Sequence, residues 1–287
     1  MSGNAPGGAL GEMLVNAKPE AKHLIAEGPV LLSLADGVAH LRLNRPQAAN
    51  GMSVELLKAL YDAVMICHGT PGIRVLLLAG EGKNFCAGGD VKAFAARGKG
   101  LPDYVRPATA HLQDSVLSLS RLQAPVIVAV QGFAAGGGGF GLVCAADIVI
   151  AAESAKFLAG ATRVAMAPDA GVSVTLPRLV GLRKATEILL TNPVIGAVEA
   201  LRLGLVTKVV PDAELASAAN ALALELAEGA PLALAATKRL LRSGMALGME
   251  ACLSEEARTV SELSGTADAR EGLAAVIERR RPVFTGT

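Results

Sequence analysis

From Leu122 to Ala146 the chain carries no charged residue. A run of that length admits two structures, a membrane-spanning helix or a segment sealed inside a soluble core. Its internal order selects the second. Pro125 to Val130 is a β-branched strand pattern, and each glycine between Gly132 and Gly141 would cost a continuous helix about 1 kcal/mol relative to alanine. The reading is a buried strand followed by a glycine-rich loop. The same succession occurs earlier. Ile73 to Ala79 is apolar apart from Arg74, as in a strand covered on both faces, and Lys83 to Asp90, with Gly88-Gly89, follows it.

Around these two strand-loop pairs the pattern alternates. Pro29–Leu34 and Val38–Leu43 read as a hairpin, because Asp36-Gly37 supplies the positive φ angles of a tight turn. Ser53 can cap a helix reaching about His68, with Val54, Leu57, Leu60, Tyr61 and Val64 along one face. A helix over Ala110–Leu122 precedes the second strand, and a strand at Ile148–Ala151 follows the glycine run. Strands alternating with helices predict an α/β core with parallel pairing, here spanning residues 27–211. From 212 to 287 the pattern becomes helical: Ala213–Ala227, Leu232–Ser243, Met249–Leu263 and Asp268–Arg281. These helices carry more apolar residues than one small bundle buries, so part of that surface is expected to meet another subunit. Residues 1–26, rich in Gly, Ala and Pro at their start, are read as a flexible extension without a secretory signal.

The charge balance narrows the partners. Lys and Arg number 27 against 26 Asp and Glu, a net charge of +1, so no general field attracts nucleic acid or anionic lipid. Neither partner is expected. Cys67, Cys86, Cys144 and Cys252 are scattered without a Cys-x-x-Cys pair, which suits free thiols in a reducing, cytoplasmic setting better than disulfides or a metal site.

The glycine run has two chemical readings. Gly136, Gly138 and Gly141 satisfy Gly-x-Gly-x-x-Gly after a strand, the dinucleotide fingerprint. The following helix is short for that fold, and no acidic residue clearly ends the next strand. In the second reading, glycines let backbone approach a ligand and aim N–H groups at it from a helix N-terminus. Two such loops from the ends of parallel strands can give one N–H each to a single carbonyl oxygen. That arrangement stabilises an enolate or tetrahedral oxyanion, and losing one donor costs roughly 3 kcal/mol.

The ordered motifs Asn44-Arg45-Pro46, Phe85-Cys86-Ala87-Gly88-Gly89-Asp90, Ala124 to Gly132, the glycine run, Asp147 to Ala151 and Leu176 to Gly181 resemble the crotonase (enoyl-CoA hydratase/isomerase) superfamily. The similarity continues through Ala200–Val206 to the ending Arg270–Arg281. It implies a spiral of ββα units with a helical C-terminal subdomain, assembled as a homotrimer or dimer of trimers. Its substrates are acyl-CoA thioesters, and no cofactor is implied beyond the coenzyme A of the substrate. Gly89 would donate one oxyanion N–H. The second donor falls at Gly137 counting forward from Gly132 and at Gly138 counting back from Asp147, the latter preferred because it keeps the downstream helix in register. The coenzyme would lie along Asn44–Asn50, with Arg45 meeting phosphate, Gln47, Ala48 and Ala49 bordering the adenine, and Ala87 and Asp90 close by. Arg279 stands where the family places a basic residue that reaches phosphate, often across subunits. The alternative for Arg279 is a solvated helix end.

In the family, hydration resembles a two-glutamate mechanism. Those positions fall here at Gly141 (Phe140 by the forward count) and Ala161, none of which can act as a base. The acid that remains is Asp169, at a position where several isomerases of the superfamily carry Asp or Glu. One carboxylate suffices to move a proton from C2 to C4 of an enoyl thioester through an enolate. Phe94, Val164 and Met166 would supply an apolar lining that raises its pKa. Capping a helix that begins near Ala170 is the other role open to Asp169. His111 and Tyr104 lie where the acyl pocket varies, and Glu153 reads as an exposed strand end. The expectation is an enoyl-CoA isomerase with Asp169 as the single base. A hydratase with an atypical base and a non-catalytic acyl-CoA binder are the alternatives.

Overall fold

The computed structural model describes residues 21–287. Most of the expected N-terminal extension therefore lies outside the described residues, and its last part is not loose. Lys22–Ile25 forms strand β1, paired antiparallel with β2 (Val30–Ala35). β2 and β3 (Val38–Leu43) make the expected hairpin, with Asp36 and Gly37 at φ 48° and 78°. Helix α1 (Val54–Gly69) starts where Ser53 accepts the Leu56 N–H, and it buries Leu56, Leu57, Leu60, Ala63, Val64 and Cys67. β4 (Val75–Gly80) is buried along its whole length.

A short α2 (Val91–Ala95) then leads to α3 (Leu101–Arg121), which starts earlier than its pattern suggested and carries Pro107 inside it. The uncharged stretch from Leu122 resolves into β5 (Val126–Val130), β6 (Phe133–Ala135) and helix α4 (Gly136–Ala145). No helix among the described residues is long and apolar enough to cross a membrane. The dinucleotide reading also fails. The strand entering the glycine helix is β6, which belongs to a separate small sheet, and α4 ends after a few turns.

β7 (Ile148–Ala152) and β8 (Lys156–Leu158) follow, then α5 (Val172–Val180), α6 (Leu182–Thr191), β9 (Ile195–Gly196), α7 (Ala197–Arg202) and β10 (Lys208–Val210). The large sheet has the order β1-β2-β3-β4-β5-β7-β10, parallel from β3 to β10, while β6, β8 and β9 form the small one. One face packs Leu76, Leu78 and Val128 against α1, α3 and α4. The other packs Val75, Leu77, Ile127 and Ile150 against α8 (Leu215–Ala227) through Leu215, Ala219 and Ala223. Cover on both faces is why β4 reads as a continuous apolar run rather than an alternating one.

α9 (Pro231–Gly244), α10 (Met249–Ser264) and α11 (Ala267–Glu278) complete the chain close to the expected limits. The last helix stops short of Arg281. Arg279 adopts φ 56°, and the Glu271 carboxylate accepts the Val283 N–H, turning the tail back until Phe284 O accepts from Arg74. Because β3, β4 and β5 run parallel and in register, Leu43 opposite Gly80, the loops after all three emerge at one edge of the sheet. Ligands bind outside that edge in parallel α/β sheets.

Candidate active site

The loops following β3 and β4 are joined by main-chain hydrogen bonds. Ala87 N–H donates to Ala49 O (3.0 Å), Met52 N–H to Gly88 O (2.8 Å) and Asp90 N–H to Met52 O (3.3 Å). Gly88 can make this turn because it lies at φ 93°, where a side chain is strained. The pairing uses the amides either side of Gly89 and leaves the Gly89 N–H without an acceptor among the described residues. Phe94 covers this glycine, so close that a Cβ there would lie 2.7 Å from the ring.

The loop after β5 arrives at the same place. Phe85 N–H donates to Gln131 O (2.8 Å), and Ala135 N–H donates to Cys86 O (2.8 Å). A Cβ on Gly136 would stand 3.7 Å from Gly89 N, so the N-terminus of α4 abuts the Gly88-Gly89 turn. Among the described residues no side chain caps α4, so its first N–H groups and positive dipole end face the site. The two glycines proposed as donors differ in direction. A side chain on Gly138, the residue preferred from spacing, would run into Met52 and Cys86 in the core. Gly137 is half-exposed, and its missing side chain faces the Asp169 carboxylate, which would overlap any Cβ placed there.

Asp169 caps no helix. α5 begins at Val172 with Gly171 as its N-cap and no side-chain cap bond. Instead the carboxyl lies against the start of α4, no cation among the described residues pairs with it, and desolvation pushes its pKa above the ordinary carboxylate value against the opposing pull of its own backbone N–H. That combination is the one a general base for a carbon-bound proton requires. The positions corresponding to the family's first glutamate are closed. Phe140 is buried, and Gly141 is packed against the Ala170 side chain. Ala161 opens a 3-10 turn over Ala161–Val164. Of the expected apolar lining, Val164 is exposed, while Phe94 and Met166 are half-buried.

The segment expected to hold the coenzyme follows β3 at this edge. Pro46–Ala48 forms a 3-10 turn that exposes Gln47, beside Ala48, Ala49 and Ala87. Arg45, assigned to phosphate from sequence, already has its fork engaged. Nη1 donates to Gly51 O (2.5 Å) and Nη2 pairs with Asp90 Oδ2 (3.1 Å). Asp90 caps α2 through the Ala93 N–H, and that bond together with Arg45 holds its carboxyl below the usual range. It orders the loop. Among the described residues no hydrogen bond or ion pair brings Arg279 to this edge, and the tail beyond it is tied to Arg74, which precedes β4 at the opposite edge. Tyr104 packs edge-on against Phe94 with Arg97 above its ring, His111 is half-buried on α3, and Glu153 is an exposed strand end.

Sequence reasoning missed the residues that fix the loops. Asn50, fully buried at φ 54°, and Gln131, whose Nε2 donates to Gly80 O (2.5 Å), anchor the segment between β4 and Gly88. An asparagine closing the coenzyme loop, a residue type that tolerates left-handed backbone, was the available signal.

The comparisons agree with this geometry. The family model Enoyl-CoA hydratase/isomerase matches residues 33–287. A Rhodobacter capsulatus protein named "Probable enoyl-CoA hydratase" is 38% identical over 253 residues, 88% of this chain and 96% of the relative. The Escherichia coli 1,2-epoxyphenylacetyl-CoA isomerase is 35% identical over 259 residues, 90% of this chain and 98% of its own. Among solved structures, an enoyl-CoA hydratase from Bacillus anthracis superposes with a TM-score of 0.86 at 34% identity, covering 91% of this chain and all of that one. The fold, the converging glycine loops and the match across nearly the whole chain show that this protein belongs to the enoyl-CoA hydratase/isomerase family of the crotonase superfamily.

Proposed function

We propose that the protein is an enoyl-CoA isomerase in which Asp169 is the single base and the Gly89 and Gly137 N–H groups hold the thioester oxygen, Gly138 being the less favoured second donor. The observation that carries this reading is the unpaired, desolvated Asp169 carboxyl beside the α4 N-terminus, in a site where neither water-activating position holds a carboxylate. The chemistry balances with one acid. The carboxylate takes the C2 proton of a 3-enoyl thioester, and the released electron pair moves onto the thioester oxygen as an enolate. When the enolate collapses, the double bond shifts to C2–C3 and the proton passes from Asp169 to C4. Coenzyme A lies along 45–50 beside Ala87, and its phosphates meet basic residues other than the engaged Arg45. Arg279 of a neighbouring subunit is the candidate. Exposed Leu182, Leu190, Val198, Met249, Val276 and Ile277 are the surfaces assigned to a homotrimer or a pair of trimers.

The test uses a 3-enoyl-CoA and a 2-enoyl-CoA with wild type and Asp169→Ala. Wild type should interconvert the two, and the variant should lose on the order of 10²- to 10⁴-fold in rate. Hydration of the 2-enoyl thioester that survives the substitution would favour the hydratase named among the relatives and sink the isomerase. Acyl-CoA binding without turnover of either thioester would mark a non-catalytic binder.

A further inference from the structure

The Gly89 N–H is useful only if its turn is held still, and the turn belongs to a surface loop. What immobilises it is a buried polar side chain on the neighbouring loop. Asn50 is fully buried, and its carboxamide spans both segments. Oδ1 accepts the Arg45 N–H (2.8 Å). Nδ2 faces three carbonyls in succession, Glu81 O (2.9 Å), Asn84 O (2.8 Å) and Phe85 O (3.1 Å). The same residue's main-chain oxygen accepts from Cys86 Sγ (3.2 Å), and that sulfur in turn takes the Gly88 N–H (3.4 Å). The Cys86 thiol stays protonated and able to donate, because burial pushes its pKa up to about 12. A chain of bonds therefore runs from the coenzyme loop through Asn50 and Cys86 to the residue before the Gly89 donor.

We infer that Asn50 is a positioning residue for the oxyanion hole: its carboxamide fixes the 81–86 segment to the coenzyme loop and so holds the Gly89 N–H in line with the thioester oxygen. The inference rests on the oxyanion reading given above. Gln131 and Asn84 tie the same segment to the loop after β5, through Gln131 Nε2 to Gly80 O and the Phe133 N–H to Asn84 Oδ1, so Asn50 is the buried side chain that ties it to the coenzyme loop. Arg45 and Asp90 form a second tie, but both are half-exposed and an ion pair in contact with water holds weakly. The carboxamide is dry, and a buried donor that loses its acceptors costs more than it contributes when satisfied.

Asn50→Gly removes the carboxamide while keeping a residue at ease at positive φ, and the isosteric Asn50→Asp turns an oxygen toward the three carbonyls. Each would be compared with wild type for isomerisation of 3-hexenoyl-CoA, for calorimetric affinity for free CoA, and for the infrared carbonyl stretch of bound crotonyl-CoA labelled with carbon-13 at the thioester. The expected result is a lowered stretch in wild type and loss of most of that shift in the variants. With it kcat should fall on the order of 10- to 100-fold, a fraction of what deleting a donor costs, and CoA affinity should stay within about threefold. Asn50→Asp should recover part of the shift at low pH, where a protonated acid can again donate. A variant that keeps the shift and kcat while melting earlier, or that loses CoA affinity alone, would overturn the inference. If wild type itself shows no shift, the oxyanion reading falls and this inference with it. Should both variants fail to fold, Cys86→Ala breaks the next bond in the chain. It must reduce the shift for the inference to stand.

Discussion

Two aspartates at opposite ends of the parallel strands show how this fold divides its work. Asp147, just before β7, is fully compensated. Its carboxylate accepts the Val126 N–H (2.8 Å) and pairs with Lys238 Nζ (2.8 Å) and Arg242 Nη2 (2.6 Å). Lys238 also donates to Leu119 O and Ala124 O, so α9 is fastened to the lower edge of the sheet by a buried cation, whose own pKa burial pulls down against the raising pull of Asp147. Asp169 sits at the other edge against a helix terminus without a side-chain cap, and among the described residues no cation pairs with it. The first acid has every oxygen committed and only holds. The second is desolvated without compensation, and an uncompensated group is the one free to exchange a proton.

The contrast can be broken from either side. Removing the acid proposed as the base should have the largest effect: Asp169→Asn is expected to lower the isomerisation rate about 10³-fold, read by steady-state kinetics, with the fold intact by circular dichroism. Removing the structural acid should do the reverse. Asp147→Asn leaves Lys238 and Arg242 without their anion and should cost about 3 kcal/mol in urea unfolding, with the rate per folded molecule unchanged. Equal losses of rate from the two substitutions would dissolve the distinction.

Titration sharpens it with a smaller effect. Since Asp169 must be ionised to accept a proton, kcat/KM should rise with pH through a midpoint above the ordinary 3.8, and that acid limb should vanish in Asp169→Asn. The same shift has a stability cost. A carboxyl with its pKa raised on folding contributes stability that is full below 3.8 and lost as pH climbs through the folded-state value. At neutral pH Asp169→Asn should therefore melt slightly higher than wild type. A melt unchanged between the two proteins would show that the carboxyl carries no desolvation penalty.

Much of the fold is legible in the sequence. The apolar runs, the Asp36-Gly37 turn and the Ser53 cap fix their elements through local physics, and the C-terminal helices fall within a few residues of their periodic patterns. What the pattern could not supply depends on contacts distant in sequence. Spacing alone left the second donor between Gly137 and Gly138, with Gly138 preferred, because only the packing of Met52 and Cys86 distinguishes the inward face of Gly138 from the outward face of Gly137. The pairing of Arg45 with Asp90 was hidden because Asp90 lies on another loop. The early start of α3 was hidden by Pro102 and Pro107, the first tolerated in an opening turn and the second accommodated inside the helix. Asn50 was invisible for the same reason as Arg45: its three carbonyl partners come together only in the folded chain.

The carboxyl of Asp169 fills the volume that a side chain at position 137 would need. Occupancy of that space is mutually exclusive, so a chain that drifts to alanine at 137 must also displace or surrender its acid. The same exclusion limits redesign. A glutamate grafted at 141 to install water activation would collide with Ala170, so a second carboxylate cannot enter from that position without moving its neighbour.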